Sequence, residues 1–314
     1  MNKSGHIAGI FFAMIFGFSF MFSKIALNTL TPMGLIAYRF LLAFLIFEIL
    51  RLTKVVKIRF EKRFMLPLFL VAIFQPILYF IFETFGLTKI TSSEAGMMIA
   101  LIPIFVTILS SIILKETPNK FQVMFISLSV SGILLIQFFK NNLGFEGSIT
   151  GFVLLFFAVL SAALFNIASR SAAKQLKPYE VTYFMMLSGA VIFNAIYIGQ
   201  LISQNTLGSY FTNLNDTNVI VSIIYLGIIA SIGGFFLVNF ALSKLPAHVS
   251  SVYSNLSTVV AVIAGAVFLN ESLEWYHIVG GLMIILGVYG TARMNIINTR
   301  KKEAQNDKNS ETIS

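Results

Sequence analysis

Ten long apolar stretches follow one another along this chain of 314 residues and limit what it can fold into. A helix needs about 20 apolar residues to cross the hydrocarbon core of a bilayer, and the stretches approach that length. They are continuously apolar rather than alternating, which excludes a membrane-spanning barrel of strands. The pattern predicts an all-α integral membrane protein with helices over residues 6–27, 34–52, 64–85, 92–114, 121–139, 150–170, 179–202, 219–242, 248–269 and 275–294.

The composition excludes several other classes of protein. Charged residues make up 11% of the chain and hydrophobic residues 57%, whereas a soluble domain carries about 25% charged residues. The absence of cysteine excludes disulfides and thiol chemistry, and the three histidines show no metal-ligand spacing. No motif of a hydrolase or a phosphate-binding loop is present, so we expect no enzyme activity, no cofactor and no metal site.

The distribution of lysine and arginine predicts the orientation. With the N-terminus inside, 18 of the 22 basic side chains fall on the cytoplasmic side, and only Lys89 and Lys140 fall outside. Cytoplasmic loops carry such an excess, so we expect a multi-pass protein of the cytoplasmic membrane with both termini cytoplasmic. We attribute the net charge of +9 to these basic residues on the cytoplasmic side and do not take it as a sign of nucleic-acid binding. We expect a first span that is retained rather than cleaved, and a disordered tail over 295–314.

The chain also repeats itself. Residues 87–114 align with residues 242–269 at a shift of 155, while the earlier part of each half aligns at a shift of 146. The matched positions include Glu116 over Glu271, Gly132 over Gly287, Pro32 over Pro178 and Lys24 over Arg170. Five spans per half give the two copies opposite orientations, a recurrent build of secondary transporters with a substrate site near the membrane centre.

Three segments resemble EamA-type transporters of the drug/metabolite transporter superfamily. They are FGFSFMFSKIALNTLTPMGLIAYRF (16–40), GLTKITSSEAGMMIALIPIFVTILSSIILKE (86–116) and FLNESLEWYHIVGGLMIILGVYG (268–290). The chain departs from many members at Phe16, where they carry tryptophan. The resemblance implies two inverted five-helix repeats, over 5–140 and 147–294, and a cavity lined mainly by spans 1, 3, 4, 6, 8 and 9. It also places spans 5 and 10 at the periphery, often in a homodimer contact.

The function that the resemblance implies is secondary active transport by alternating access. The expected substrates are small metabolites, amino acids or related compounds, moved outward and coupled to protons. A drug or organic-cation exporter and an uptake permease on the same fold stay open. A passive solute channel is the alternative from another class.

Polar residues at helical spacing mark the third span. Gln75, Tyr79 and Glu83 are spaced i, i+4 and i+8, so they should share one face of the helix. We interpret Glu83 as a proton site, a partner for a substrate cation, or an interfacial carboxylate. Arg39 lies about 9 Å inside span two, where it can pair with Glu83, hold a substrate carboxylate, or serve only the structure.

The second half offers uncharged candidates. Ser231 and Asn239 should share a face of span eight, since they are eight residues apart. Hydroxyls and amides can bind a zwitterion, but they can equally join helices to one another. The full set of candidates for substrate binding or coupling is Glu83, Tyr79, Gln75, Arg39, Asn166, Ser231, Asn239, Tyr253 and Ser254. Lys24 and Arg170, which end spans one and six, are interpreted chiefly as interfacial cations.

Overall fold

The computed structural model describes residues 3–59, 61–90, 92–140, 148–268 and 272–311. Within these ranges the chain forms helices and short connections, and ten helices are long and apolar enough to cross a membrane. They are α1 Lys3–Leu27, α2 Pro32–Leu52, α3 Lys62–Leu87, α4 Ala95–Leu114, α5 Lys120–Phe139, α6 Ile149–Ala172, α7 Pro178–Ser203, α8 Thr217–Lys244, α9 Ala247–Phe268 and α10 Trp275–Glu311. The all-helical, ten-span prediction is confirmed.

Several helices begin where the sequence supplies a side-chain cap. The Thr31 hydroxyl accepts a hydrogen bond from the Gly34 amide at 3.2 Å, and Pro32 occupies the first turn of α2. The Ser148 hydroxyl accepts from Gly151 in the same way at the start of α6. Each cap satisfies an amide that a helix N-terminus leaves without a partner. Ten consecutive crossings place Lys3 and the end of α10 on one side of the bundle, here called the terminal side; the other is the far side.

Three of the helices are interrupted within the membrane. Helix α4 has a turn at residues 100–101 and wide π-helical turns over Ser110–Leu114. In α3 the backbone of Gln75 is extended (φ −149°, ψ 120°) next to Pro76, and the peptide bond between them is cis. Proline disfavours a helical conformation in the residue before it, so the helix breaks at Gln75. In α8 the residues Tyr225–Gly234 form wide π-helical turns. These turns change the direction in which later side chains project.

The packing of the helices follows a two-fold pattern. Helix α1 packs on α8 and α9, whereas α6 packs on α3 and α4; α2 packs on α7, and α5 on α10. If each helix is replaced by the helix at the same position in the other half of the chain, the same set of pairs results. A two-fold relation between the halves requires this.

Close contacts between α5 and α10 follow the same relation. A Cβ on Gly132 would lie 2.6 Å from the Gly280 carbonyl oxygen, and a Cβ on Gly287 would lie 2.5 Å from that of Phe125. The shift of 155 relates Gly132 to Gly287 and Phe125 to Gly280, so these two contacts are equivalent. Glycine lets the two backbones touch.

The last helix is longer than the sequence analysis expected. It runs from Trp275 to Glu311, past residue 295, where disorder was predicted. No glycine or proline follows Gly290 within this helix, and the segment RKKEAQ (300–305) consists of residues that favour helix.

Candidate functional site

A partly buried charge lies where α2 meets α8. The Arg39 Nε donates a hydrogen bond to the Ser231 hydroxyl at 2.7 Å, and Ser231 is fully buried. The helices can approach because Gly227, one turn before Ser231, has no side chain; a Cβ there would lie 3.1 Å from the Arg39 carbonyl oxygen. A guanidinium has five N–H donors. Ser231 uses one of them and fixes the orientation of the group.

The acidic side chain of α3 faces the same region. The Tyr79 hydroxyl donates to Glu83 Oε1 at 2.9 Å, which the i, i+4 spacing allows on one helix face. Both groups interact electrostatically with Arg39. We call Arg39, Tyr79, Glu83 and Ser231 the Arg39–Glu83 cluster. It holds a cation and a carboxyl on neighbouring helices in an apolar surrounding, where charges attract more strongly than in water.

Aromatic rings support this cluster. The Arg39 guanidinium carbon lies 5.6 Å from the ring centre of Phe40 and 5.5 Å from that of Phe80. Those two rings are 5.4 Å apart, and Phe193 of α7 lies 5.4 Å from Phe40. A cation over an aromatic face is stabilised by the ring quadrupole. The rings therefore hold Arg39 in place while they keep water from its apolar side.

The spacing predicted that Gln75 shares a helix face with Tyr79 and Glu83, but in the structure it does not. The break in α3 takes its backbone out of the helix, so it no longer precedes Tyr79 by one helical turn. Tyr79 and Glu83 keep the common face that the sequence predicted, because both lie beyond the break.

The amide candidates of α6 and α8 take part in bonds between or within helices. The Asn239 Oδ1 accepts from the Ser169 hydroxyl at 2.6 Å, and its Nδ2 donates to Thr182 Oγ1 at 3.0 Å. Asn239 thereby joins α8 to α6 and α7. The Asn166 Nδ2 donates to the Ala162 carbonyl of its own helix at 2.9 Å.

The candidates of α9 lie against α1. The Tyr253 hydroxyl is 2.7 Å from His6 Nδ1, and its ring packs on Gly9, where a Cβ would lie 2.6 Å from it. The Ser254 hydroxyl donates to the Ser251 carbonyl at 2.6 Å. The structure thus brings Arg39, Tyr79, Glu83 and Ser231 together and places the other candidates elsewhere.

A second charged cluster joins helix ends on the terminal side. The Arg170 Nε donates to Glu116 Oε1 at 2.8 Å, and its Nη1 donates to the Leu242 carbonyl at 2.8 Å. The other oxygen, Glu116 Oε2, accepts from the Ala247 amide at 2.8 Å in the first turn of α9. This Glu116–Arg170 cluster joins the ends of α4, α6, α8 and α9. Sequence reasoning treated Arg170 as an interfacial cation and missed the pair, although both residues are matched positions of the repeat.

Further ion pairs lie on the same side. The Arg59 Nε donates to Glu180 Oε1 at 2.6 Å, which ties the connection between α2 and α3 to the start of α7. These hydrogen bonds raise the pKa of Arg59. The Arg51 Nε donates to Glu48 Oε2 at 2.8 Å, and that oxygen also accepts from the Tyr183 hydroxyl of α7 at 2.8 Å.

Comparison with known proteins identifies the chain. The model of the EamA-like transporter family matches it twice, over residues 3–138 and 149–293. The chain belongs to this family of the drug/metabolite transporter superfamily. It is 38% identical to the Bacillus subtilis (strain 168) "Uncharacterized transporter YcxC", over 95% of this chain and 94% of that protein.

More distant similarities cover the same length. The Escherichia coli (strain K12) "Probable amino-acid metabolite efflux pump" is 22% identical over 97% of this chain and 98% of its own length. A solved crystal structure superposes with a TM-score of 0.77 and 15% identity, covering 94% of this chain and 98% of that one, which shows the shared fold. This EamA-like chain is therefore a multi-pass membrane transporter.

Proposed function

We propose that this EamA-like transporter is a secondary active carrier that exports small zwitterionic metabolites, amino acids or related compounds, in exchange for protons. The observation that carries the proposal is the Arg39–Glu83 cluster, which sets a cation and a carboxyl on neighbouring helices within the span of the membrane. Charged side chains inside a membrane are costly and mark pathways for substrates or ions.

The chemistry of the cluster favours a zwitterion. Four guanidinium N–H donors of Arg39 are left for a substrate carboxylate after Ser231 has accepted one. The Glu83 carboxylate, held by Tyr79, suits a substrate ammonium group. A lone organic cation would meet the repulsion of Arg39, which argues against the drug-exporter alternative. The name of the Escherichia coli relative, a probable amino-acid metabolite efflux pump, agrees with amino-acid metabolites as the substrate class.

Proton coupling follows from the same carboxyl. Glu83 is the acid of the cluster, and its carboxyl can hold a proton or, when ionised, face a substrate ammonium group. We infer that Glu83 is protonated when the substrate has left, and ionised when an ammonium group is bound. Because Glu83 would hold either a proton or the substrate, but not both, the movement of protons in one direction is linked to the movement of substrate in the other.

Access to the cluster that alternates between the two sides of the membrane would give the internal repeat a function. The Glu116–Arg170 cluster ties helix ends together on the terminal side, which we assign to the cytoplasm from the excess of lysine and arginine there. The repeat relates these residues to Glu271 and Lys24, and the Ala247 amide to that of Ser92. Glu271 lies outside the described residues. We propose that the related set closes the far side when the terminal side opens.

Reconstitution into proteoliposomes tests the transport mechanism. With trapped unlabelled amino acids inside, a carrier accumulates labelled substrate by counterflow, whereas a passive channel does not. A proton gradient should drive uptake or release of the transported amino acid. Absence of counterflow for the whole panel of amino acids, together with unsaturable flux, would refute the carrier in favour of the channel.

Substitution of Glu83 tests the site. We expect Glu83→Gln to keep the fold, because the glutamine oxygen can still accept from Tyr79, and to abolish the response to the pH gradient or transport itself. Tyr79→Phe should be milder, since it removes one hydroxyl. Glu48→Gln, which removes a carboxylate of α2 outside the cluster, is the control. Wild-type rate and pH response in Glu83→Gln would show that Glu83 does not couple transport to protons.

A further inference from the structure

A groove open to the surface runs between α1, α9 and α10 at the terminal side. It has a volume of about 590 Å³, and most of its lining is apolar, including Ile10, Leu256 and Ile285. Ile10 and Ile285 are exposed by 45% and 44%, whereas Val288 at its base is buried. In a membrane, the groove therefore opens toward lipid rather than toward the Arg39–Glu83 cluster.

The length of the groove matches one leaflet. Along α10 its lining extends from Ile285 to Ile296. At 1.5 Å per residue this is about 16 Å, close to half of the roughly 30 Å hydrocarbon core. Since α10 enters at Trp275 on the far side, these residues lie in the leaflet of the terminal side.

Polar groups lie among the lining residues of the groove. Arg293 lies near the end of the α10 lining, exposed to the surface, with its Nη1 3.4 Å from the Tyr289 hydroxyl. His6 also lines the groove: its Nδ1 contacts the Tyr253 hydroxyl, and its buried Nε2 has no hydrogen-bond partner among the described residues. When Tyr253 donates to Nδ1, Nε2 carries the proton and is a donor. None of the ten residues that line the groove is acidic.

We propose that this groove binds one anionic phospholipid of the leaflet on the terminal side. Arg293 contacts the phosphate, while an acyl chain follows Ile10, Leu256 and Ile285. Basic pockets between membrane helices bind anionic head groups in this manner. A neutral acyl chain alone would not need the arginine, and a soluble anion would not need an apolar groove as long as one leaflet. The inference does not depend on which substrate is transported.

Mass spectrometry of the purified full chain, kept folded in detergent, tests the site. Phosphatidylglycerol and phosphatidylcholine are added separately, and the bound lipid that survives detergent removal is counted. We expect Arg293→Gln to reduce retention of phosphatidylglycerol about five-fold, the effect of one basic residue at a charged membrane surface. Retention of phosphatidylcholine should not change. Arg293→Lys, which keeps the positive charge, should retain most of the wild-type binding of phosphatidylglycerol.

Two further variants separate the groove from general charge attraction. Lys174→Gln removes the same charge from an exposed position in the connection between α6 and α7, and should leave retention unchanged. Ala292→Phe fills the groove while keeping Arg293, and should lower retention of phosphatidylglycerol. Thermal unfolding confirms that each variant is folded.

Three results would overturn the proposal. One is equal loss of phosphatidylglycerol in Arg293→Gln and Lys174→Gln, which indicates diffuse attraction. Another is wild-type retention in folded Ala292→Phe, which shows that the groove is not used. The third is displacement of the lipid by glycerol phosphate alone, which indicates a site for a soluble anion.

Discussion

The Glu116–Arg170 cluster makes a quantitative prediction about access from the terminal side. In Glu116→Gln the carboxylate is replaced by an amide of nearly the same shape. The ion pair with Arg170 and the charged cap on the Ala247 amide are then lost, although a neutral oxygen remains. The closed arrangement of α4, α6 and α9 should therefore be less favourable, while an open arrangement that lacks these contacts is unaffected.

The magnitude follows from the exposure of the pair. The side chains of Arg170 and Glu116 are 24% and 20% exposed, so solvent screens them in part. Exposed ion pairs contribute up to about 1 kcal/mol, and hydrogen bonds to charged groups contribute about 1.5–3 kcal/mol. A loss of about 1–2 kcal/mol shifts the ratio of open to closed forms by roughly 5- to 30-fold.

Labelling of a single cysteine measures that ratio. The chain has no cysteine, so Asn166→Cys supplies the only thiol. Residue 166 lies on α6 about 6 Å deeper in the membrane than Arg170, between the two charged clusters. In oriented vesicles, a membrane-impermeant maleimide added from the terminal side should react about 5- to 30-fold faster when Glu116→Gln is present. The same change should slow its reaction from the far side.

Two variants define the controls. Glu61→Gln breaks the Glu61–Arg63 pair, an exposed contact within one segment, and should leave the labelling rate unchanged. Glu271→Gln, the repeat-related substitution, should have the opposite effect and favour labelling from the far side. If Glu116→Gln labels no faster than Glu61→Gln, the Glu116–Arg170 cluster does not hold the terminal side closed.

Three other predictions address topology and packing. Reporter fusions at Ser314 and within residues 203–218 should lie on opposite sides of the membrane; a common side would contradict the ten-span arrangement. Gly280→Ala should lower thermal stability by about 1–3 kcal/mol, because its Cβ meets the facing backbone of α5, whereas Gly281→Ala, with nothing within 4 Å, should not. Asn239→Ala should cost about 1 kcal/mol through the loss of its hydrogen bonds with Ser169 and Thr182 and leave the substrate KM unchanged; a raised KM at unchanged stability would make Asn239 a binding residue.

Local features of the structure were predictable from the sequence. The ten spans follow from the thickness of the bilayer, which fixes the length of each apolar stretch and keeps the charged connection around residues 51–63 out of it. The second span was predicted to begin at residue 34, and capping by Thr31 with Pro32 in the first turn moves the start of α2 to Pro32. The contact between Tyr79 and Glu83 follows from their i, i+4 spacing, which any regular helix turns into proximity.

Contacts between distant segments were not predictable in the same way. Pairing with Glu83 was one of three interpretations of Arg39, but its hydrogen-bond partner Ser231 lies 192 residues away and depends on the close approach at Gly227. The spacing of eight residues predicted that Asn239 and Ser231 share a face of α8. The packing of the helices instead directs Ser231 to α2 and Asn239 to α6 and α7.

The sequence by itself thus determined which segments cross the membrane, approximately where they begin, and which neighbours within a helix share a face. Only the tertiary structure decided that Arg39, Tyr79, Glu83 and Ser231 meet, and that Glu116 bonds Arg170 and the start of α9. The reason is geometric. A hydrogen bond tolerates only a few tenths of an ångström in distance, whereas the rotation of a helix about its axis is set by its neighbours and by interruptions such as Gln75 in α3 and the wide turns of α8.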